Sequence, residues 1–180
     1  SHHRIVANQI LGNGEVRFEG IEPGKYSLLA SAPATGQAYA VVRLWSQSAE
    51  IMGNTLNVPV GSDLEISVSL AAGSAHVEGF AKRGGKGTPG AMIVLVPQDP
   101  ENHRELFRRD QSDLDGSFNL RNVVPGTYTV IAIENGWELD WSQPAVLMQY
   151  ANHGPTVRVD ALAHGSVRVA EPVEIQSRKM

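Results

Sequence analysis

Two stretches of this chain, "GEVRFEGIEPGKYSLLA" at residues 14 to 30 and "GSFNLRNVVPGTYTVIA" at residues 116 to 132, carry one pattern 102 positions apart. Gly14 aligns with Gly116, Pro23 with Pro125, Gly24 with Gly126, Tyr26 with Tyr128 and Ala30 with Ala132. Before each Pro-Gly the apolar residues alternate (Val16, Phe18; Phe118, Leu120), and they alternate again after it (Tyr26, Leu28; Tyr128, Val130). A period of two belongs to a strand with one buried face. Pro-Gly joins a fixed φ to a residue free to take positive φ, which is turn chemistry. Each stretch predicts strand, turn, strand, and a chain that repeats this unit is committed to sheet.

The echo continues. "LNVPVGSDLEISVSL" (56 to 70) and "VRVDALAHGSVRVAEPVEI" (157 to 175) both predict a short strand, a Gly-containing turn and a longer alternating strand, with Gly61 opposite Gly165 at an offset of 104. A shift of two is the mark of a small loop insertion. Residues 105 to 112 match residues 3 to 10. "SAHVEGFAK" (74 to 82) and "GAMIVLVP" (90 to 97) predict further strands, linked by "RGGKGTPG", which reads as a flexible connection. The first copy has no counterpart of residues 74 to 103. The chain is therefore read as 1–72, a partial β-sandwich lacking its N-terminal strands, followed by 73–180, a complete one. It is expected to be a piece of a longer tandem protein, its open sheet edge covered by neighbouring segments or another chain. No long amphipathic helix is visible; "WSQPAVLMQY" (141 to 150) predicts a helical turn or two between strands.

Composition sets limits on function. The 180 residues suit two sandwiches of about 100 residues or fewer. With 42% apolar residues, 18 Gly and 10 Pro, the chain suits many short elements joined by tight turns. The net charge of −4, without a basic stripe, excludes nucleic acid as a partner. The absence of cysteine excludes disulfides, thiolate metal sites and cysteine nucleophiles. No apolar run reaches the roughly 20 residues of a transmembrane helix.

The segments "VEGFAK", "KGTPGAMIVL" and "DLDGSFNLRNVVPGTYTV" resemble three successive motifs of the carboxypeptidase regulatory-like domain: its opening V-x-G-x-V strand, its P-x-x-G-A-x-V-x-L strand and its D-x-x-G-x-F core ending in P-G-x-Y. Residues 14 to 72 are similar to the later part of that pattern only, with Asn13 standing where Asp115 stands in the other copy. "PENHRELFRRDQSD" and "AIENGWELDWSQPAVLMQY" resemble the subgroup found in soil bacteria of the acidobacterial type. The resemblance implies an all-β chain of two tandem Ig-like or transthyretin-like (prealbumin-like) antiparallel β-sandwiches. It also implies a bacterial, extracytoplasmic setting, secreted or in the cell envelope, periplasmic or outer-membrane associated. It implies little chemistry, because a sandwich hosts many functions.

Candidate site residues are few. Trp137, Glu138, Asp140, Trp141 and Tyr150 form the densest aromatic and acidic cluster; indoles beside carboxylates can stack on a sugar or a cation, or fold over the sandwich as packing. Asp113 and Asp115, with Asn119, are weak candidates for calcium, because hard cations take closely spaced oxygen ligands, but Asp-Gly is itself a hairpin signal. The histidines (His2, His3, His76, His103, His153, His164) lack metal-ligand spacing apart from the adjacent pair, and His76 reads as solvated or hydrogen-bonded. Tyr26 and Tyr128 each follow Pro-Gly, as a corner tyrosine tied to the backbone would. No nucleophile, base and orienting group occur at recognisable spacing, so neither catalysis nor a cofactor is expected. The reading is a non-catalytic structural or interaction module whose partners are other domains of the parent protein. The alternative is a saccharide- or peptide-binding module using the Trp137/Trp141 loop. Oligomerisation through the incomplete first sandwich and an accessory role beside a peptidase also remain open.

Overall fold

The computed structural model describes residues 6–32, 37–52, 55–101, 103–141, 143–160, 163 and 165–179. The fold is all-β. Its first strands are β1 (Gly24–Ser27), β2 (Ser31–Ala32), β3 (Gln37–Trp45), β4 (Glu50–Met52), β5 (Thr55–Val58) and β6 (Ser67–Ala72). Then come β7 (Ala75–Arg83), β8 (Lys86–Gly87), β9 (Met92–Pro97), β10 (Arg108–Gln111), β11 (Ser117–Val123) and β12 (Gly126–Ile133). One short helix, α1 (Pro144–Ala151), precedes β13 (Thr156–Val159), β14 (Gly165–Arg168) and β15 (Val173–Gln176). β1, β5 and β4 form one three-stranded sheet, and β2, β3 and β6 another. The chain divides into two compact units: the described parts of Ser1–Leu28 with Arg43–Val68, and of Leu29–Val42 with Ser69–Met180.

In the larger unit β10, β9, β12 and β13 make one layer, and β11, β7, β8 and β14 the other. β15 bonds to both β7 and β12 and so joins the layers into one continuous sheet. Between the layers lie Val77, Ile93, Leu95, Leu120, Tyr128, Val130 and Val173, all buried. The loop between β7 and β9, expected to be flexible, is instead a tight hairpin: Arg83 pairs with Lys86 across Gly84 and Gly85, both at positive φ. The expectation of purely antiparallel sheets also fails in part. β14 and β15 run parallel to β7, and β15 parallel to β12. Parallel neighbours need a crossover, and the passage of the chain from β13 in one layer to β14 in the other provides it.

Every residue of β9 is buried, as are Val130 to Ile133 of β12, although period two promised one wet face. The outer face of these strands is covered by α1: Met92, Val94, Val96, Phe107, Ile131 and Ile133 pack with Leu147 and Tyr150, with Leu139 and Trp141 against them. Strands covered on both faces read as continuous apolar runs, as "MIVLV" does.

The smaller unit repeats the turn and corner hydrogen bonds found between residues 110 and 128. Leu11 N–H donates to Glu15 O (2.8 Å) and Gly14 N–H to Leu11 O (2.9 Å); Asp113 N–H donates to Ser117 O (2.8 Å) and Gly116 N–H to Asp113 O (2.8 Å). Gly14 and Gly116 share a left-handed φ (83° and 84°), and Gly20 shares one with Asn122 (65° and 56°). Asn8 donates its side-chain amide to Arg17 O, where Asp110 accepts from Asn119 N–H. Tyr26 donates to Glu22 O (2.7 Å) and Tyr128 to Val124 O (2.8 Å), each four residues back. β1 pairs with β5 through Tyr26 and Leu56, as β12 pairs with β13 through Tyr128 and Val157.

The strand expected at Val16 and Phe18 does not form. Its counterpart β11 exists because β7 pairs with it, and β10 because β9 pairs with it. The smaller unit has no equivalent of either partner in this sequence, and a strand without a neighbour leaves its amides unpaired. Val16 and Phe18 are 36% and 42% exposed, where Phe118 and Leu120 are 4% and 0% exposed. Full burial of two such side chains contributes about 3–6 kcal/mol, and the smaller unit, which leaves them partly exposed, forgoes about 1–2 kcal/mol of it.

Candidate functional site

The aromatic cluster follows β12. Asn135 takes a left-handed turn (φ 50°), and Gly136 to Glu138 form a single 3-10 turn. Gly136 is required there, because a Cβ would meet Met92 Cε at 2.7 Å and Ile133 Cβ at 3.0 Å. The segment is thereby pressed onto the outer face of β9 and β12 before Pro144 opens α1 at its first turn, where a missing N–H costs nothing. Leu147 and Tyr150, three apart, face inward together.

The structure brings Trp137 and Trp141 together around a residue that the sequence did not single out. The Arg109 guanidinium, from β10, lies 5.3 Å from the Trp137 ring centre and 4.6 Å from that of Trp141. The cation that two indoles can hold is thus supplied by the chain itself, an arrangement worth about 0.5–2 kcal/mol. Trp141 is half-buried against the core and Trp137 is 41% exposed. Glu138 is ion-paired with Arg178. Asp140 is exposed and its carbonyl accepts from Gln143 N–H (3.1 Å). Tyr150 is buried: its hydroxyl accepts from Lys179 N–H (2.9 Å), and Lys179 Nζ lies 5.2 Å from its ring centre. Nothing in positions 105–112 marked Arg109 in advance, because stacking across strands depends on register and not on spacing along the chain.

Asp113 and Asp115 sit in the β10–β11 turn. The Asp115 carboxylate accepts from Ser117 N–H (2.9 Å), and hydrogen bonding to Ser117 holds its pKa below the usual carboxylate range. Asn13 makes the same bond to Glu15 N–H (3.1 Å) without a charge. An amide and a carboxylate are interchangeable as turn acceptors, whereas a calcium ligand set is weakened by that exchange. Asn119 lends its backbone N–H to Asp110. Among the described residues no three His, Asp or Glu converge as metal ligands.

His76 is half-buried, and its Nδ1 is enclosed without a hydrogen-bond partner. His103 lies 3.4 Å from Glu105, while His2, His3 and His164 fall outside the described residues. The buried Ser112 and the partly buried Arg108 serve the fold. Ser112 donates to Thr88 O (2.8 Å) and accepts from Ala91 N–H (2.9 Å). Arg108, its pKa lowered by burial, donates to the carbonyls of Glu105, Phe107 and Asn122. Among the described residues no helix is long and apolar enough to cross a membrane.

Residues 75–157 match the model of the NOMO1-like second β-sandwich domain of the BOS complex subunit, a match to less than half of the chain. No curated protein matches the sequence. Among solved structures, a variant of BcpA, the major pilin subunit of Bacillus cereus, is 12% identical with a TM-score of 0.35. The alignment covers 80% of this chain and spans 59% of that pilin chain. With the layers described above, the family match identifies the larger unit as a sandwich of the transthyretin- or Ig-like type.

Proposed function

We propose that the chain is a non-catalytic structural and interaction module of carboxypeptidase regulatory-like type, with tandem sandwich copies at 1–72 and 73–180. In this reading it is one portion of a larger bacterial extracytoplasmic polypeptide, secreted or held in the envelope, and its partners are that protein's other domains. One observation carries the reading. The groups that could bind a ligand are turned to packing: Trp137 and Trp141 close on Arg109, Glu138 pairs with Arg178, and Tyr150 is in the core. The tandem reading is supported by the hydrogen bonds and left-handed residues that recur between 6–28 and 108–130.

The test is a titration of tryptophan fluorescence with oligosaccharides. No saturable change is expected in the unaltered chain. Arg109→Ala should alter the emission of Trp137 and Trp141 without creating a saccharide site. A saturable response that disappears in Trp137→Ala/Trp141→Ala, with the fold retained, would establish the carbohydrate-binding alternative instead.

A further inference from the structure

We propose that residues 15–21 are a strand acceptor, taking an extended segment with the chemistry of β7 in the antiparallel register that β11 and β7 use. This rests on reading the chain as an interaction module, and it names the partner. Three observations carry it. The acceptor is already shaped: in β11 the register shifts between Leu120 and Val123 around left-handed Asn122, and Gly20 holds that conformation with no partner strand among the described residues. The face is apolar and open, with Val16 and Phe18 exposed beside a hollow lined by Val6, Ala7, Asn8, Arg17, Phe18 and Glu19. The register supplies the third: transferring that of β11 and β7 places Val16 opposite a Gly79-like position, Phe18 opposite a Val77-like position and Arg17, 3.9 Å from Glu19 on its own face, opposite a Glu78-like carboxylate.

The occupant therefore alternates small apolar residues inward, with glycine under Val16 and an acid facing Arg17. Strand addition of this kind takes its affinity from main-chain bonds and its selectivity from alternate side chains. It comes from a segment of the parent polypeptide that is not itself paired in a sandwich; the β7 of a second copy does not qualify, because β7 is already paired with β11 on one edge and with β14 and β15 on the other.

The test adds a synthetic peptide with the sequence of residues 74–83 to the full chain and follows amide hydrogen exchange over residues 12–23. The expected result is exchange slowed about tenfold or more. Protection should be abolished by Val77→Lys in the peptide or Phe18→Lys in the protein. It should survive Val60→Lys, at a residue that is 84% exposed on the same unit. Absence of protection would overturn the proposal. So would equal protection by the Val77→Lys peptide, or protection that appears with protein concentration and needs no peptide, which would mark a second copy as the occupant. Any of these leaves the non-catalytic reading intact, since only the oligosaccharide titration speaks to that.

Discussion

Replacing Tyr128 by Phe isolates one bond of the repeated corner. The ring is 1% exposed, and its hydroxyl donates to Val124 O at 2.8 Å. Phe keeps the packing and strips a buried carbonyl of its donor, which costs about 1–2 kcal/mol at neutral pH. The same hydroxyl titrates abnormally. Desolvation, opposed by nearby Arg108, pushes its pKa up to about 12 from 10. Because the folded value lies above the unfolded one, the unfolded chain loses its proton first. The stability held by the protonated hydroxyl is therefore complete below pH ~10 and falls away as pH rises through ~12. Two pKa units correspond to about 2.7 kcal/mol. Denaturant unfolding of both proteins at pH 7, 10, 11 and 12 should show Tyr128→Phe less stable at pH 7, level with the parent near pH 11 and no less stable at pH 12. Tyr26→Phe, which breaks the matching bond at a half-exposed ring, should cost about 0.5 kcal/mol or less. Equal stability of parent and Tyr128→Phe at pH 7, or a difference that does not change with pH, would refute the reasoning.

Other substitutions probe the missing partners and the helix. Gly116→Ala brings a Cβ to 2.4 Å from Ala81 O and 2.8 Å from Gly87 Cα, and should cost about 4 kcal/mol or more in a thermal melt. Gly14→Ala, at nearly the same φ but with nothing within 4 Å, should cost only the left-handed strain of about 1–2 kcal/mol. Leu147→Ala, fully buried under α1, should destabilise by about 2–5 kcal/mol, and Met148→Ala, 44% exposed, by no more than about 0.5 kcal/mol in the same assay.

The repeat was legible because its signals are local. Pro-Gly, the Asp/Asn-x turn acceptor and the corner tyrosine all act within five residues, so the sequence alone specified them. What lay outside reach was set by neighbours distant in the chain. Val16-x-Phe18 and Phe118-x-Leu120 read alike, yet only the second pair is a strand, because β7 lies beside it. "MIVLV" hid its two covered faces until α1 was placed over one of them. Trp137 and Trp141 were visible as a cluster, but Arg109 reaches them through the pairing of β10 with β9, which no spacing encodes.

The parallel run of β14 and β15 along β7 has a mechanical meaning. Ala75, at the head of β7, and Gln176, at the tail of β15, lie at opposite ends of the paired strands. Tension applied between them loads the ladder in shear, so that its bonds must fail together, whereas tension between Arg83 and Gln176 peels them one after another. Single-molecule pulling through the first pair of attachment points should need a greater force than pulling through the second.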